Sequence, residues 1–386
     1  YNAGILTMSG GIISSNTASS TGGGMFNEGS LFMYGSAVIG DSSKTECATD
    51  TAYSNKATDG GSGIRTTSTV YLGYSDASTK AALTGGVCYN ASDGISILCG
   101  TVFMDSGSIS YNYGRGLYVG SNDGVKYGNF TMSGGEVSGN GSSGTDCGGG
   151  IYAGYHGKVK LEGGSISSNT AQNGGGLGLK NCYSSLDMSG GSISSNRATG
   201  NGGGIYAEMD TSYTGYIKMS GGSISSNTAS SNGGGVHIAY GPFTMSGGEI
   251  TGNSSSSYGG GICNAGSLAI TGGTISANTA TTGGGGIAVW GTLKMGEAAY
   301  IPAGDEGKND VFLYSGGTKY AVTIASLLTQ SAVATLTPGD YTAGRTMLTL
   351  AADASTTVAA NYTKFAVTQP ASGTDWRIDS KGLLQV

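Results

Sequence analysis

The phrase Leu6-Thr7-Met8-Ser9-Gly10-Gly11-Ile12-Ile13-Ser14-Ser15-Asn16 returns along most of the chain, and this self-similarity constrains the fold before any other feature does. Close copies begin at Phe130, Val159, Leu186, Ile217, Phe243 and Leu268 and end at Asn140, Asn169, Asn196, Asn227, Asn253 and Asn278. A looser copy runs from Val102 to Asn112 and a weaker one from Leu31 to Asp41. A few small polar residues follow each close copy, then a glycine triplet and an apolar residue, as in Gly202-Gly203-Gly204-Ile205 and Gly233-Gly234-Gly235-Val236. Successive Asn from 112 to 278 are 28, 29, 27, 31, 26 and 25 residues apart. That period is too irregular for a coiled coil and suits a solenoid.

Within a repeat, apolar residues alternate with period two. Leu186 and Met188 flank Asp187, Ile193 lies between two serines, and Ile205 and Ala207 flank Tyr206. This reads as three short strands per repeat, separated by turns at the Gly pair, the Asn and the Gly triplet. The 75 Gly among 386 residues oppose a helical core, and they lack the three-residue period of collagen. Strands this short bury their apolar faces only by stacking repeat on repeat, roughly 4.8 Å apart. The expected fold class is all-β, a right-handed parallel β-helix with a C-terminal β cap.

Stacking predicts the core. Met8, Met33, Met104, Met132, Met188, Met219, Met245 and Met295 fall in one inward column, and Ile13, Ile109, Val137, Ile166, Ile193, Ile224, Ile250 and Ile275 in a second. The Met column is read as pliable packing in preference to a soft-metal site. Asn112, Asn140, Asn169, Asn196, Asn227, Asn253 and Asn278 are expected to form a structural ladder of side-chain amides.

The alternation of Gly-Gly-Gly-Ile with Ile-Ser-Ser-Asn resembles the repeats of bacterial surface β-helix proteins, adhesin-like members of the pectin-lyase-like superfamily. It is also similar to the GG-x-I and F-x-x-N repeats of polymorphic outer-membrane proteins, with Ile in place of Phe. The resemblance covers roughly residues 1–300 and implies a secreted or cell-surface, extracellular location. It does not specify a function, because the fold carries lyases, hydrolases, adhesins and ice binders.

Residues 1–300 are assigned to the β-helix, with irregular insertions at 42–100, and 301–386 to a terminal β cap or small β module. The chain opens inside a repeat at Tyr1, as a mature or trimmed fragment would. No apolar run approaches a membrane span. A net charge of −6 with 18 Lys and Arg argues against nucleic acid as a partner. Six cysteines (Cys47, Cys88, Cys99, Cys147, Cys182 and Cys263) lack a CxxC pair, which opposes a zinc site. One or two disulfides are expected from their even number, with Cys88 alternatively a small residue of the Ile column.

The outward position after the Gly-triplet residue carries Phe26, Tyr118, Tyr152, Gly178, Tyr206, His237 and Cys263, and two residues further on stand Glu28, Glu208 and Trp290. Beside this stripe, the connection from first to second strand varies in length. Apolar landmarks are six residues apart from Ile262 to Leu268 and from Ile287 to Leu293. They are eight apart from Ile151 to Val159, nine from Leu177 to Leu186, twelve from Ile205 to Ile217 and thirteen from Leu117 to Phe130. The longer connections carry Tyr127, Tyr155, His156, Tyr183, Tyr213 and Tyr216. Insertions gathered on one corner of a solenoid mark a working face. Tyr118, Tyr152, Tyr155, His156, Tyr206, Tyr213, His237 and Trp290 are therefore the candidate ligand-binding residues, for a glycan or a protein ligand. The alternative for any outward Tyr is packing on its neighbour above or below.

No catalytic residue is assigned, and no cofactor is expected. The alternative is a polysaccharide lyase or glycoside hydrolase, for which the one tight charged ladder is Lys160, Asp187 and Lys218, equally readable as a cross-coil salt bridge. Asp41, Asp50, Asp59, Asp76, Asp93, Asp105 and Asp123 leave a Ca²⁺ site open, but no Asp-x-Asp-x-Asp loop supports one. A remote alternative is ice binding through the Ser165-x-Ser167, Ser192-x-Ser194 and Ser223-x-Ser225 face.

Overall fold

A computed structural model describes the chain except residues 42–54, 58–60, 122–124, 142, 143, 145, 211–213, 305–307 and 372. The chain winds as a right-handed parallel β-solenoid of about 12 turns. One coil shows the plan. Ile205–Glu208 joins the first sheet, Tyr216–Met219 the second, Ser223–Ser225 the third, and Thr228–Ala229 a short fourth. Stacked coils build sheets of 13, 13, 10 and 5 strands.

Like residues stack on like. From Met8 the inward partners run through Met33, Leu72, Met104, Met132, Leu161, Met188, Met219, Met245 and Ile270 to Met295. Methionine is long enough to reach into the neighbouring coil. A Cβ built on Gly135, Gly164, Gly222 or Gly248 would lie 2.6–2.7 Å from the Cε of Met104, Met132, Met188 or Met219. The second-turn glycine and the Met column are therefore one packing unit. The Ile column runs from Ile13 through Ile39, Val87 and Ile109 to Ile275. Cys88 is not in this column: Val87 holds the inward position, and Cys88 pairs with Gly40 and Ser110 one residue on, facing the opposite way.

The turn residues set the distance between coils. Gly202 opens its triplet at φ 65°, a left-handed conformation that costs glycine nothing. Gly204 closes the triplet for a different reason: a Cβ there would lie 2.7 Å from the Gly235 carbonyl oxygen and 3.0 Å from Asn227 Nδ2. Beside it runs the amide ladder. The backbone N–H and the Nδ2 of Asn169 both donate to Asn196 Oδ1, at 3.0 Å each, and Nδ2 also donates to the Val137 carbonyl at 2.9 Å. The same pattern links Asn112, Asn140, Asn227, Asn253 and Asn278. It extends to Asn16, Asn55 and Asn90 at one end and Asn309 at the other. Asp41 is off the ladder; Asn55 takes that rung and donates through Nδ2, as a carboxylate cannot.

Parallel stacking continues beyond residue 300. The third sheet ends at Thr274–Ser276 and the last Gly run follows at 283–286, but the first and second sheets run on to Phe365–Val367 and Leu348–Leu350. An antiparallel hairpin, Arg377–Ile378 with Leu384–Gln385, caps the C-terminal end and buries Ile378 and Leu384. Buried Arg345 ties the last coils together, donating to Asp340 Oδ1 at 3.1 Å and to the Leu313 carbonyl at 2.9 Å. Among the described residues no helix is long and apolar enough to cross a membrane.

Removing one rung tests the ladder. Asn196→Ala leaves two buried donors of Asn169 without their acceptor and the Ile166 carbonyl without its donor. At about 1–3 kcal/mol for each stranded group, the loss of stability is expected to be at least about 3 kcal/mol, read as a lower denaturation midpoint.

Candidate functional site

The corner between the first and second sheets collects the aromatic side chains of the long connections. Tyr127, His156 and Tyr183 come from three successive coils. Their ring centroids are 4.9 Å apart for Tyr127 and His156 and 4.6 Å for His156 and Tyr183. His156 turns into this row from a left-handed backbone, φ 58°. Lys158 Nζ lies 3.8 Å from the Tyr127 ring centroid, a cation–π contact. Tyr213 lies outside the described residues.

Tyr118, Tyr152, Tyr206 and His237 stand on the outer face of the first sheet, in the expected register. Their partners are largely one another. Tyr118 and Tyr152 rings are 5.6 Å apart, and the Arg115 guanidinium lies 4.8 Å from the Tyr152 ring. Tyr206 and His237 stack at 5.5 Å with an interplanar angle of 1°. Gly178 separates the two pairs, and the Cys147 thiol fills the place a side chain at 178 would take. Burial pushes the Tyr152 hydroxyl up to about 12 and lowers the His237 imidazole to about 4. These four half-buried residues form packed pairs, not an open surface.

Open space lies at the corner itself, in two adjoining grooves that share Tyr240. The smaller, of about 490 Å³, is lined by Tyr155, Lys180, Glu208 and Asp210 among others. Lys180 Nζ is 3.5 Å from Glu208 Oε2 and 3.7 Å from Asp146 Oδ2, and Tyr206 donates its hydroxyl to Glu208 at 3.2 Å. The larger, of about 660 Å³, runs past Tyr216, Tyr240, Trp290 and Tyr320. Trp290 is held from behind by Tyr258 and Tyr314, with centroids at 4.8 and 5.5 Å. Of the sequence candidates, Tyr155 and Trp290 thus line open grooves, while Tyr118, Tyr152, Tyr206 and His237 occupy the adjoining sheet face.

Sequence reasoning missed Tyr240, Tyr320 and Lys180. Tyr240 had a signal: Val236 and Phe243 are seven residues apart, one more than in the next two coils. The extra residue makes a β-bulge in which Glu208 pairs with Tyr240 and Ala239 is passed over, and Tyr240 is left 59% exposed. Tyr320 reads as the start of a strand in the sequence, but the strand begins at Val322.

Other candidates resolve differently. Lys160, Asp187 and Lys218 are neighbours in register, yet Lys160 pairs with Glu162 at 2.6 Å and Asp187 accepts the Tyr216 hydroxyl at 2.8 Å. The cross-coil salt bridge is replaced by these nearer partners. Asp93 receives the Arg115 N–H at 2.9 Å, Asp105 pairs with Lys80, and Asp76 caps its own turn at Ser78 and Thr79. Asp50, Asp59 and Asp123 lie outside the described residues. Among the described residues no three His, Cys, Asp or Glu converge as metal ligands. The expected disulfides are not found among Cys88, Cys147, Cys182 and Cys263, which are free, and burial raises the Cys88 and Cys147 thiols to about 11 and 12. Cys47 lies outside the described residues.

Comparison with known proteins finds no match: no family model, no curated protein and no solved structure is similar to this chain.

His237 gives a pH signature. Its folded pKa of about 4 lies below the ordinary value of 6.5. As pH falls from about 6.5 to about 4, the unfolded chain gains a proton that the folded protein refuses, so stability declines across that window and levels off below it. Above about pH 6.5 the group contributes nothing. His237→Gln is expected to lose this component of the pH dependence, seen as a shallower slope of melting temperature against pH than in the parent.

Proposed function

We propose that this chain is a secreted or cell-surface bacterial binding protein, adhesin-like and related to the pectin-lyase-like solenoids, that takes a glycan at the corner of its β-helix without catalysis. The observation carrying this reading is the pair of adjoining grooves, in which Tyr155, Tyr216, Tyr240, Trp290 and Tyr320 supply aromatic walls along the solenoid axis. Aromatic faces with polar tips suit sugar rings, whose C–H faces are apolar and whose edges carry hydroxyls. A concave, elongated site favours a chain-like ligand over the broad, flatter patch of a protein–protein interface. The extracellular location rests on the repeat resemblance, because the free thiols lend no support to an oxidising compartment. Ice binding is not part of this proposal, since exposed Glu136 and Glu249 interrupt the hydroxyl rows of the third sheet.

A second reading, a polysaccharide lyase or glycoside hydrolase, is favoured by one arrangement. Lys180 stands between Glu208 and Asp146 and shares its groove with Asp210, the kind of basic residue beside carboxylates that acid–base cleavage of a glycan uses. An assay for new reducing ends and unsaturated products separates the two readings. Binding without product is expected; turnover abolished by Glu208→Gln would establish the enzyme.

On a glycan array, Trp290→Ala and Tyr155→Ala are each expected to weaken binding by about tenfold or more, equivalent to about 1.4 kcal/mol. Unchanged binding by both variants, where the parent binds, overturns the proposal.

A further inference from the structure

The larger groove has a gap at its centre, and the residues around it narrow the class of ligand. Ala265 donates its N–H to the Ile238 carbonyl and Trp290 donates to that of Asn264, both at 2.8 Å, which places Ala265 in register between Ala239 and Trp290. The coil above carries bulged Tyr240, the coil below carries Trp290, and the coil between offers only Ala265, Gly266 and Ser267. Two coil spacings of about 4.8 Å separate the aromatic positions by roughly 10 Å. Two van der Waals contacts of about 4 Å each leave room for one puckered ring between two walls. Gly266 cannot close the gap, since a Cβ there would lie 2.8 Å from Ile238 Cγ2.

Among the described residues lining this groove none is Asp, Glu, Lys or Arg. The polar groups at its lip are hydroxyls, with Thr292 donating to Ser267 Oγ at 3.1 Å. An acidic sugar would have its carboxylate desolvated here without an Arg or Lys to receive it. The cations beside the groove stand next to carboxylates. Lys218 Nζ lies 4.3 Å from the Tyr216 ring centroid and is the register neighbour of Asp187, which accepts the Tyr216 hydroxyl, and Lys180 of the adjoining groove is matched by Glu208 and Asp146.

We infer that the gap over Ala265 is a subsite for one ring of an uncharged glycan, held between Tyr240 and Trp290. This rests on the glycan-binding reading above and adds the position and the charge class. Ala265 is exposed, so a larger side chain there fills the gap without entering the core.

The test uses the full chain with Trp376→Phe, which leaves Trp290 as the sole fluorophore of its two tryptophans. Cellohexaose, xylohexaose, mannohexaose and laminarihexaose serve as neutral probes and hexagalacturonate as the acidic one. At least one neutral hexasaccharide is expected to shift Trp290 emission. Ala265→Tyr is expected to weaken that binding by about tenfold or more at an unchanged melting temperature, and Ala265→Ser to leave it intact. Tyr240→Ala, at an exposed position, provides a second variant with the same expected loss. Hexagalacturonate binding in preference to the neutral probes overturns the charge class, and neutral binding unaffected by Ala265→Tyr and Tyr240→Ala overturns the subsite. Both of those results leave the glycan-binding edge standing. Binding of no glycan, on these probes or on the array, overturns both.

Discussion

Each coil of this protein lies on the next because buried asparagine amides carry a donor and an acceptor in the same side chain. Asn196 accepts twice from Asn169 and donates to the Asn227 Oδ1 and to the Ile166 carbonyl, so one residue satisfies two backbone groups of the coil before it and bonds the side-chain amide of the coil after it. An unpaired polar group buried here would be costly, and a slip of one residue would strand every amide in the column. The glycine triplets act with the ladder. They let the backbones of successive coils approach closely at the place where the amides meet, as the short Cβ distances at Gly204 show. Register, core columns and outer rows all follow from this contact.

The same constraint decides where the chain is free to vary. At the triplet a side chain would meet the backbone of the next coil, and the second turn is closed by a glycine under a methionine methyl group; the ladder turn is lengthened in one coil, between Val38–Gly40 and the rung Asn55. The corner between the first and second sheets has neither restriction. Connections there range from six residues between landmarks to thirteen, and the grooves form where long and short connections adjoin. Short turns at Gly241, Gly266 and Gly291 make the floor, and aromatic residues beside them make the walls. The grooves proposed to bind a ligand thus lie at a turn that packing constrains little.

Much of the fold was legible from residues 1–300. The Met and Ile columns, the amide rungs and the outer row from Phe26 to Cys263 follow from counting between repeats, because identical coils must place identical residues at identical heights. Legibility failed where the count was off by one. Cys88 sits one residue from the column to which it was assigned, and Tyr240 owes its exposure to a single bulged residue. Beyond residue 300 the triplets are lost, but parallel stacking is not. Backbone pairing and inward Val, Leu and Ile suffice to continue it, and neither leaves a motif in the sequence. The open part of the candidate site was not legible for a related reason. Tyr118, Tyr152, Tyr206 and His237 were correctly set in one row, yet rings stacked at one coil spacing consume one another's surface.

Sequence alone determined the architecture, because period, alternation and turn chemistry are local properties that repetition adds together. It also determined that aromatic side chains gather at one corner. Tertiary structure alone decided which of them face open space, since that depends on what stands in the neighbouring coil some 25 residues away. Ala265 between Tyr240 and Trp290 makes a gap, while Cys147 over Gly178 closes one. A cavity is the difference between adjacent rungs, and only stacking brings those rungs together.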